Sequence, residues 1–184
     1  MQHPLCYGKV YDKLLVSKCG KVWSLHHKRL RGRRDQLIGA SYNIYIYIMI
    51  DVLTRYADDL TELLALGGEF AQFEYLIDIG QNAPKFSEQQ RIKKNKMFGC
   101  QAQVWIIQRE AGDVLYYQGD SDAAIVKGLI IIITEAMSGH TREEIASIKH
   151  HVVNDLGLGS GLTARRQVGM MAMIDYIKRK SGSK

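Results

Sequence analysis

At 184 residues, with 46% hydrophobic and 24% charged residues and only two prolines, the chain is sized and composed for one globular domain, with or without an extension. That composition excludes a disordered or collagen-like polymer, and its longest apolar runs, such as residues 129–133, fall far short of the ~18 residues a membrane-spanning helix needs. Three cysteines, odd in number and sparse, do not make a disulfide scaffold and point to a reducing compartment, read here as the cytoplasm.

The net charge of +6 is concentrated at one end. Residues 1–48 hold nine Lys/Arg and two Asp/Glu, whereas the remaining 136 hold 16 and 17. Residues 1–48 are therefore read as a basic N-terminal extension and 49–184 as the functional domain. Lys28, Arg29, Arg31, Arg33 and Arg34 crowd together in the extension. Such a cluster attracts phosphates, but without interleaved stacking aromatics a solvated run is the plainer reading, and no nucleic-acid partner is expected. A secretory signal does not fit, because Lys and Arg lie throughout; a transit peptide fits in Arg and acid content but not in Ser. The reading adopted is a disordered or in-frame upstream extension with Met49 as the true start. Residues 42–48, Tyr-Asn-Ile-Tyr-Ile-Tyr-Ile, have strand propensity without an evident partner.

From Tyr56 the pattern is helical: Leu60, Leu63 and Leu64 share a face until Gly67 and Gly68 stop the run. Phe70, Phe73, Leu76 and Ile77 form a second apolar face, closed by Gly80 and Pro84. Two short antiparallel helices are expected. The polar stretch 87–95 follows, with Arg91, Lys93, Lys94 and Lys96 close together. Val104 to Ile107 and Val114 to Tyr117, separated by a turn through Gly112, predict a β-hairpin. The oxygens of Asp120, Ser121 and Asp122 suit the N-terminus of a helix over residues 122–137. That segment is apolar nearly all round, so it is a buried element, and its four consecutive isoleucines suit a strand equally well. Thr141 with Glu144 makes a capping box, and Thr163 precedes a last helix with Met170, Met173, Ile174 and Ile177 on one side and Arg166 on that face in the first turn. The order predicts an α+β domain with helices packed on a small antiparallel sheet of about three strands.

Cys100 is the only cysteine of residues 49–184. It follows Gly99 and precedes a strand, which places it on a loop. A lone cysteine is most simply a small buried hydrophobe. Metal binding needs several thiolate or imidazole ligands, and His140, His150 and His151 make no ligand pattern with it. No motif supplies the base and orienting partner of a Cys-His hydrolase. The residues alone thus lead to a candidate nucleophilic thiol and no further.

Two blocks carry a resemblance. Phe98-Gly99-Cys100-Gln101-Ala102-Gln103-Val104-Trp105, and Gln118-Gly119-Asp120-Ser121-Asp122 continuing to Leu129, resemble the SufE family of sulfur-acceptor proteins, which includes CsdE. Tyr75 to Gly80 and Leu162 to Arg166, continuing to Gly169, fit the family in the same order, so the likeness runs from about Leu60 to Lys178. It implies a SufE/IscU-like α+β fold in which residues 122–137 are helix.

The resemblance also implies a role in iron–sulfur cluster assembly. Such proteins stimulate a pyridoxal-phosphate cysteine desulfurase (SufS/CsdA-like), accept its sulfane sulfur as a persulfide on the cysteine at the position of Cys100, and deliver it to a scaffold (SufBCD-like). They are sulfur-transfer partners rather than free-standing enzymes. No cofactor or metal is expected on this chain, no membrane partner, and a monomer or homodimer. Supporting positions by motif are Gly99, Gln101, Gln103, Asp120, Asp122 and Arg166. Gly99 gives the loop backbone freedom. Asp120 and Asp122 are read first as helix caps and second as partner contacts. Arg166 is read as favouring the anion of Cys100, or else as an arginine snorkelling off the core. Arg91, Lys93, Lys94 and Lys96 either steer docking onto an acidic desulfurase surface or form a solvated face. Two residues depart from the family pattern: Ala102 stands where Ser is usual, and Ala164 where Pro is usual. A cluster scaffold of the U type and a regulatory module that accepts no sulfur are the competing readings; the first is disfavoured by the single thiol.

Overall fold

A computed structural model describes residues 44–149, 151–155 and 162–182. Residues 1–43 of the basic extension, with Cys6, Cys19 and the first two residues of the Tyr/Ile strip, and His150 lie outside the described residues.

Helix α1 (Ile44–Asn82) consists of two arms that meet at Gly68, whose φ of 67° and ψ of −165° break the helical path. An L residue with a side chain rarely adopts that φ, so the glycine is what allows the reversal. The second arm folds back along the first: Gln72 Nε2 donates to Leu60 O at 2.6 Å and the Tyr75 hydroxyl to Asp59 Oδ2 at 2.7 Å. The expected helical hairpin is therefore present, with two corrections. Ile44 to Ile48 begin the first arm rather than a strand, because helical winding buries Met49, Leu53, Ala57 and Leu60 along one stripe. In the second arm the buried residues are Gln72, Leu76 and Ile79, while Phe70 is 70% exposed.

The sheet has four antiparallel strands in the order β1 (Lys96–Met97), β2 (Val104–Ala111), β3 (Val114–Ser121), β4 (His140–Thr141). About three were expected. The outer two are single pairs of residues, Lys96 and Met97 opposite Trp105 and Val104, and His140 and Thr141 opposite Leu115 and Val114, too short to leave a period in the sequence. The β2–β3 turn is closed by Gly112 at φ 61° and Asp113, the arrangement of a type II′ hairpin.

Helix α2 (Ala124–Met137) crosses from β3 to β4 and is the centre of the core. Leu129, Ile130, Ile132, Ile133, Ala136 and Met137 are all buried, since α1, the sheet and the last helix surround it. The isoleucine run is thus helical. Two glycines permit the closeness: a Cβ on Gly128 would lie 2.1 Å from Leu76 O of α1, and one on Gly119 of β3 would lie 2.5 Å from Ile130 Cγ1. Short helices α3 (Arg142–Ser147) and α4 (Val152–Asp155) precede α5 (Ala164–Lys180). The capping box of α3 forms, Thr141 N donating to Glu144 Oε2 at 2.9 Å and Glu144 N to Thr141 Oγ1 at 3.3 Å. Met170, Met173, Ile174 and Ile177 are the buried face of α5, and Thr163 is its N-cap residue without a side-chain cap bond. No helix among the described residues is long and apolar enough to cross a membrane.

Candidate functional site

The β1–β2 pairing ends at Met97 and Val104, so residues 98–103 form a six-residue loop with Cys100 near its middle. Gly99 has φ 99°, a conformation open to glycine and rare for other residues, and this turns the chain into the loop. Phe98 beside it is 64% exposed. Cys100 is a free, half-buried thiol. Its Sγ lies against α5: a Cβ built on Gly169 would be 3.9 Å from it, ordinary contact distance. Burial pushes the thiol above its ordinary pKa, so at neutral pH the resting side chain is the protonated, weakly nucleophilic form.

One end of the loop is fixed by Gln103. Its N–H donates to Asp122 Oδ1 at 2.8 Å, and its carbonyl accepts from Ser121 Oγ at 2.8 Å and from Asp122 N at 3.2 Å. Its side-chain Oε1 accepts from Lys96 Nζ at 2.9 Å. Gln101 Oε1 accepts from Arg165 Nη1 of α5 at 3.0 Å. Arg166 places its guanidinium 4.7 Å from the centre of the Phe73 ring, on the second arm of α1. The loop therefore meets α5 at Gly169 and Arg165, and α5 meets α1 through Arg166 and Phe73.

The cap reading of the acidic pair is corrected. Ala123 is the N-cap residue of α2 and makes no side-chain cap bond, and of Asp120, Ser121 and Asp122 it is Ser121 whose Oγ accepts from Ala123 N, at 3.3 Å. Asp122 holds Gln103 instead. Asp120 is fully buried and accepts from Arg91 Nε at 2.8 Å, with Lys127 Nζ at 3.2 Å from its other oxygen. The Arg91 guanidinium also lies 5.2 Å over Trp105, so Arg91 leaves the basic group with which it was read. Ala164 occupies the first position of α5, where proline is favoured but not required. Three contacts were not read from the sequence: Arg165 on Gln101, Phe73 under Arg166, and Gly169 against the thiol. The last had one signal, a glycine closing the tail motif.

His140 is buried beside Glu144, at 3.6 Å, and is part of β4. Among the described residues no group of three or more His, Cys, Asp or Glu is arranged to hold a metal ion.

A family model described as SufE, the Fe-S metabolism associated domain, matches residues 58–181. The chain belongs to the SufE family. Among its relatives, an uncharacterised SufE-like protein of Rhizobium etli is 32% identical over 115 residues, 60% of this chain and 78% of that one. Another from Rhizobium meliloti is 35% identical over 115 residues, covering 60% and 82%. A solution structure of a hypothetical protein from Thermus thermophilus matches with a TM-score of 0.52 at 16% identity, covering 70% of this chain and 96% of that one. That likeness concerns the fold alone, which is α+β as read from the sequence. Family membership places the chain in Fe–S metabolism.

Proposed function

We propose that this chain is a persulfide relay: Cys100 accepts sulfane sulfur from a pyridoxal-phosphate cysteine desulfurase, which the chain stimulates, and passes it to an iron–sulfur cluster scaffold in the cytoplasm. The observation that carries this is the thiol itself, half-buried near the middle of a loop that is pinned at Gln103 and rests on Gly169. The step balances without an oxidant. The Cys100 thiolate attacks the terminal sulfur of the donor persulfide, the donor S–S bond breaks, and the donor leaves as a thiolate that takes up the proton Cys100 lost. No cofactor of this chain enters the step.

Burial disfavours the thiolate in the resting loop and also shelters a persulfide from reductants. Movement of residues 98–102 away from α5 would lower the thiol pKa and present the sulfur together, so docking and activation become one event. Arg166, one turn before Gly169 on α5, is proposed to attract a persulfide anion in that arrangement by leaving the Phe73 ring on which it rests.

Intact-mass measurement after incubation with a desulfurase and cysteine tests the reading. The full chain is expected to gain ~32 Da, one sulfur, on Cys100, and Cys100→Ser is expected to gain nothing and to lose stimulation of the desulfurase. Stimulation that survives in Cys100→Ser would make the chain a regulatory module that accepts no sulfur.

A further inference from the structure

Resting on the relay reading, we propose that Lys93, Lys94, Lys96 and Lys180, gathered around Tyr176, are a docking surface for an acidic segment of the desulfurase. The group is assembled by the fold from two distant parts of the chain. The Tyr176 hydroxyl donates to Lys96 O at 3.4 Å, tying α5 to β1, and Lys180 Nζ lies 5.8 Å from the centre of the Tyr176 ring. Lys93 and Lys94 are exposed in the single 3-10 turn (Lys93–Asn95) that precedes β1.

Cations at the end of a helix ordinarily serve its dipole. Lys178 is already engaged elsewhere, its Nζ donating to the carbonyl of Ile148, the C-cap residue of α3, at 2.6 Å. Lys180 is different: burial first, and then the like charge of Lys94, holds its ammonium below the ordinary value, an electrostatic disadvantage for the pair. Among the described residues no carboxylate pairs with any of the four lysines. An incoming anionic surface relieves that crowding.

Position selects a protein as the anion. Lys96 Nζ is bonded to Gln103, the pinned end of the Cys100 loop, and Lys96 is four residues from Cys100, at most about 13 Å along the chain. A partner reaching the thiol through a standard interface of about 800 Å² per side extends well beyond the loop, which brings Lys96 and its neighbours within its reach. Exposed Phe98 by the thiol and lysines at the edge match an interface with an apolar centre and a charged rim. The domain's charges are segregated to the same effect: α1 carries seven acids against the single base Arg55, whereas residues 85–96 carry four lysines against Glu88, apart from Arg91, which is paired with Asp120. That asymmetry turns the basic side toward an acidic partner.

The test is persulfide loading of the full chain by each cysteine desulfurase of the source organism, at about 50 and 300 mM salt. For Lys94→Glu/Lys180→Glu, the concentration giving half-maximal loading is expected to rise about tenfold or more at the lower salt, with the rate at saturation unchanged. Salt is expected to weaken the wild type and not the variant. Equal half-saturation and equal salt dependence in the two proteins would overturn the surface while leaving the relay intact. If no desulfurase loads the wild type, the relay itself fails and this occupant with it. Lys94→Glu alone, at an exposed position, carries the same comparison should the double variant not fold. Binding of a 20-mer oligo(dT), of phosphatidylglycerol vesicles or of a second copy of the chain, present in the wild type and lost in the variant, would assign the surface elsewhere and overturn the proposal.

Discussion

Burial holds His140 below its ordinary pKa of 6.5, and the Glu144 carboxylate, pulling the other way, is the smaller influence. The folded protein therefore binds fewer protons than the unfolded chain once the pH falls below about 6.5, and stability is lost as the pH drops through that value. The contribution to the slope is at most about 1.4 kcal/mol per pH unit. Urea midpoints measured from pH 8 to pH 5 are expected to fall less steeply in His140→Gln than in the wild type; identical slopes would sink the assignment. Asp120 is the other costly residue. Asp120→Asn leaves the largely buried Lys127 ammonium without its carboxylate, an expected loss of about 3 kcal/mol in urea unfolding; a change below about 0.5 kcal/mol would mean that solvent already screens the pair. At this scale the loop position of Cys100 was legible, because Gly99 precedes it and a strand follows. The partners of Asp120 were not, because an acid before a helix looks the same whether it caps the helix or accepts from an arginine 29 positions upstream.

Elements were legible where they were long and periodic. The β2–β3 hairpin follows from two β-branched and aromatic runs around a glycine turn and the buried face of α5 from i, i+3, i+4 spacing, whereas the isoleucine run of α2 suits a strand as well and only the family resemblance implied helix. The helical start at Ile44 was not, since strand propensity in a Tyr/Ile strip is a local preference and the burial of Met49 and Leu53 is a tertiary one. Nor was the closeness of α1 to α2, which depends on what a glycine faces. Gly128→Ala would push a methyl group into the Leu76 backbone, a contact that no side-chain rotation relieves. The expected cost is about 3 kcal/mol or more, lowering the melting temperature by roughly 10 °C. The loop has a separate dependence. Asp122→Ala removes the acceptor of the Gln103 N–H, and the Cys100 loop is expected to open more often. Iodoacetamide should then alkylate Cys100 several-fold faster at pH 7, with little change in melting temperature; an unchanged rate would show that the other Gln103 bonds suffice.

The described residues are organised around α2, which α1, β3 and α5 each contact. None of those elements can leave without exposing isoleucines that are now dry, so residues 44–182 are expected to unfold in one transition. Cys100 stands apart from that core: its loop contains none of the buried apolar side chains. Opening of the loop therefore exposes little surface, and the free energy of such an opening hardly depends on denaturant. Alkylation of Cys100 across a urea series should accordingly show a flat region at low urea, where labelling follows local opening. A steep rise should begin only where circular dichroism reports loss of helix. A labelling rate that climbs with urea from the outset would tie the thiol to the global transition. Loop movement would then require disruption of the core, and a partner that merely docks at the surface could not free the thiol.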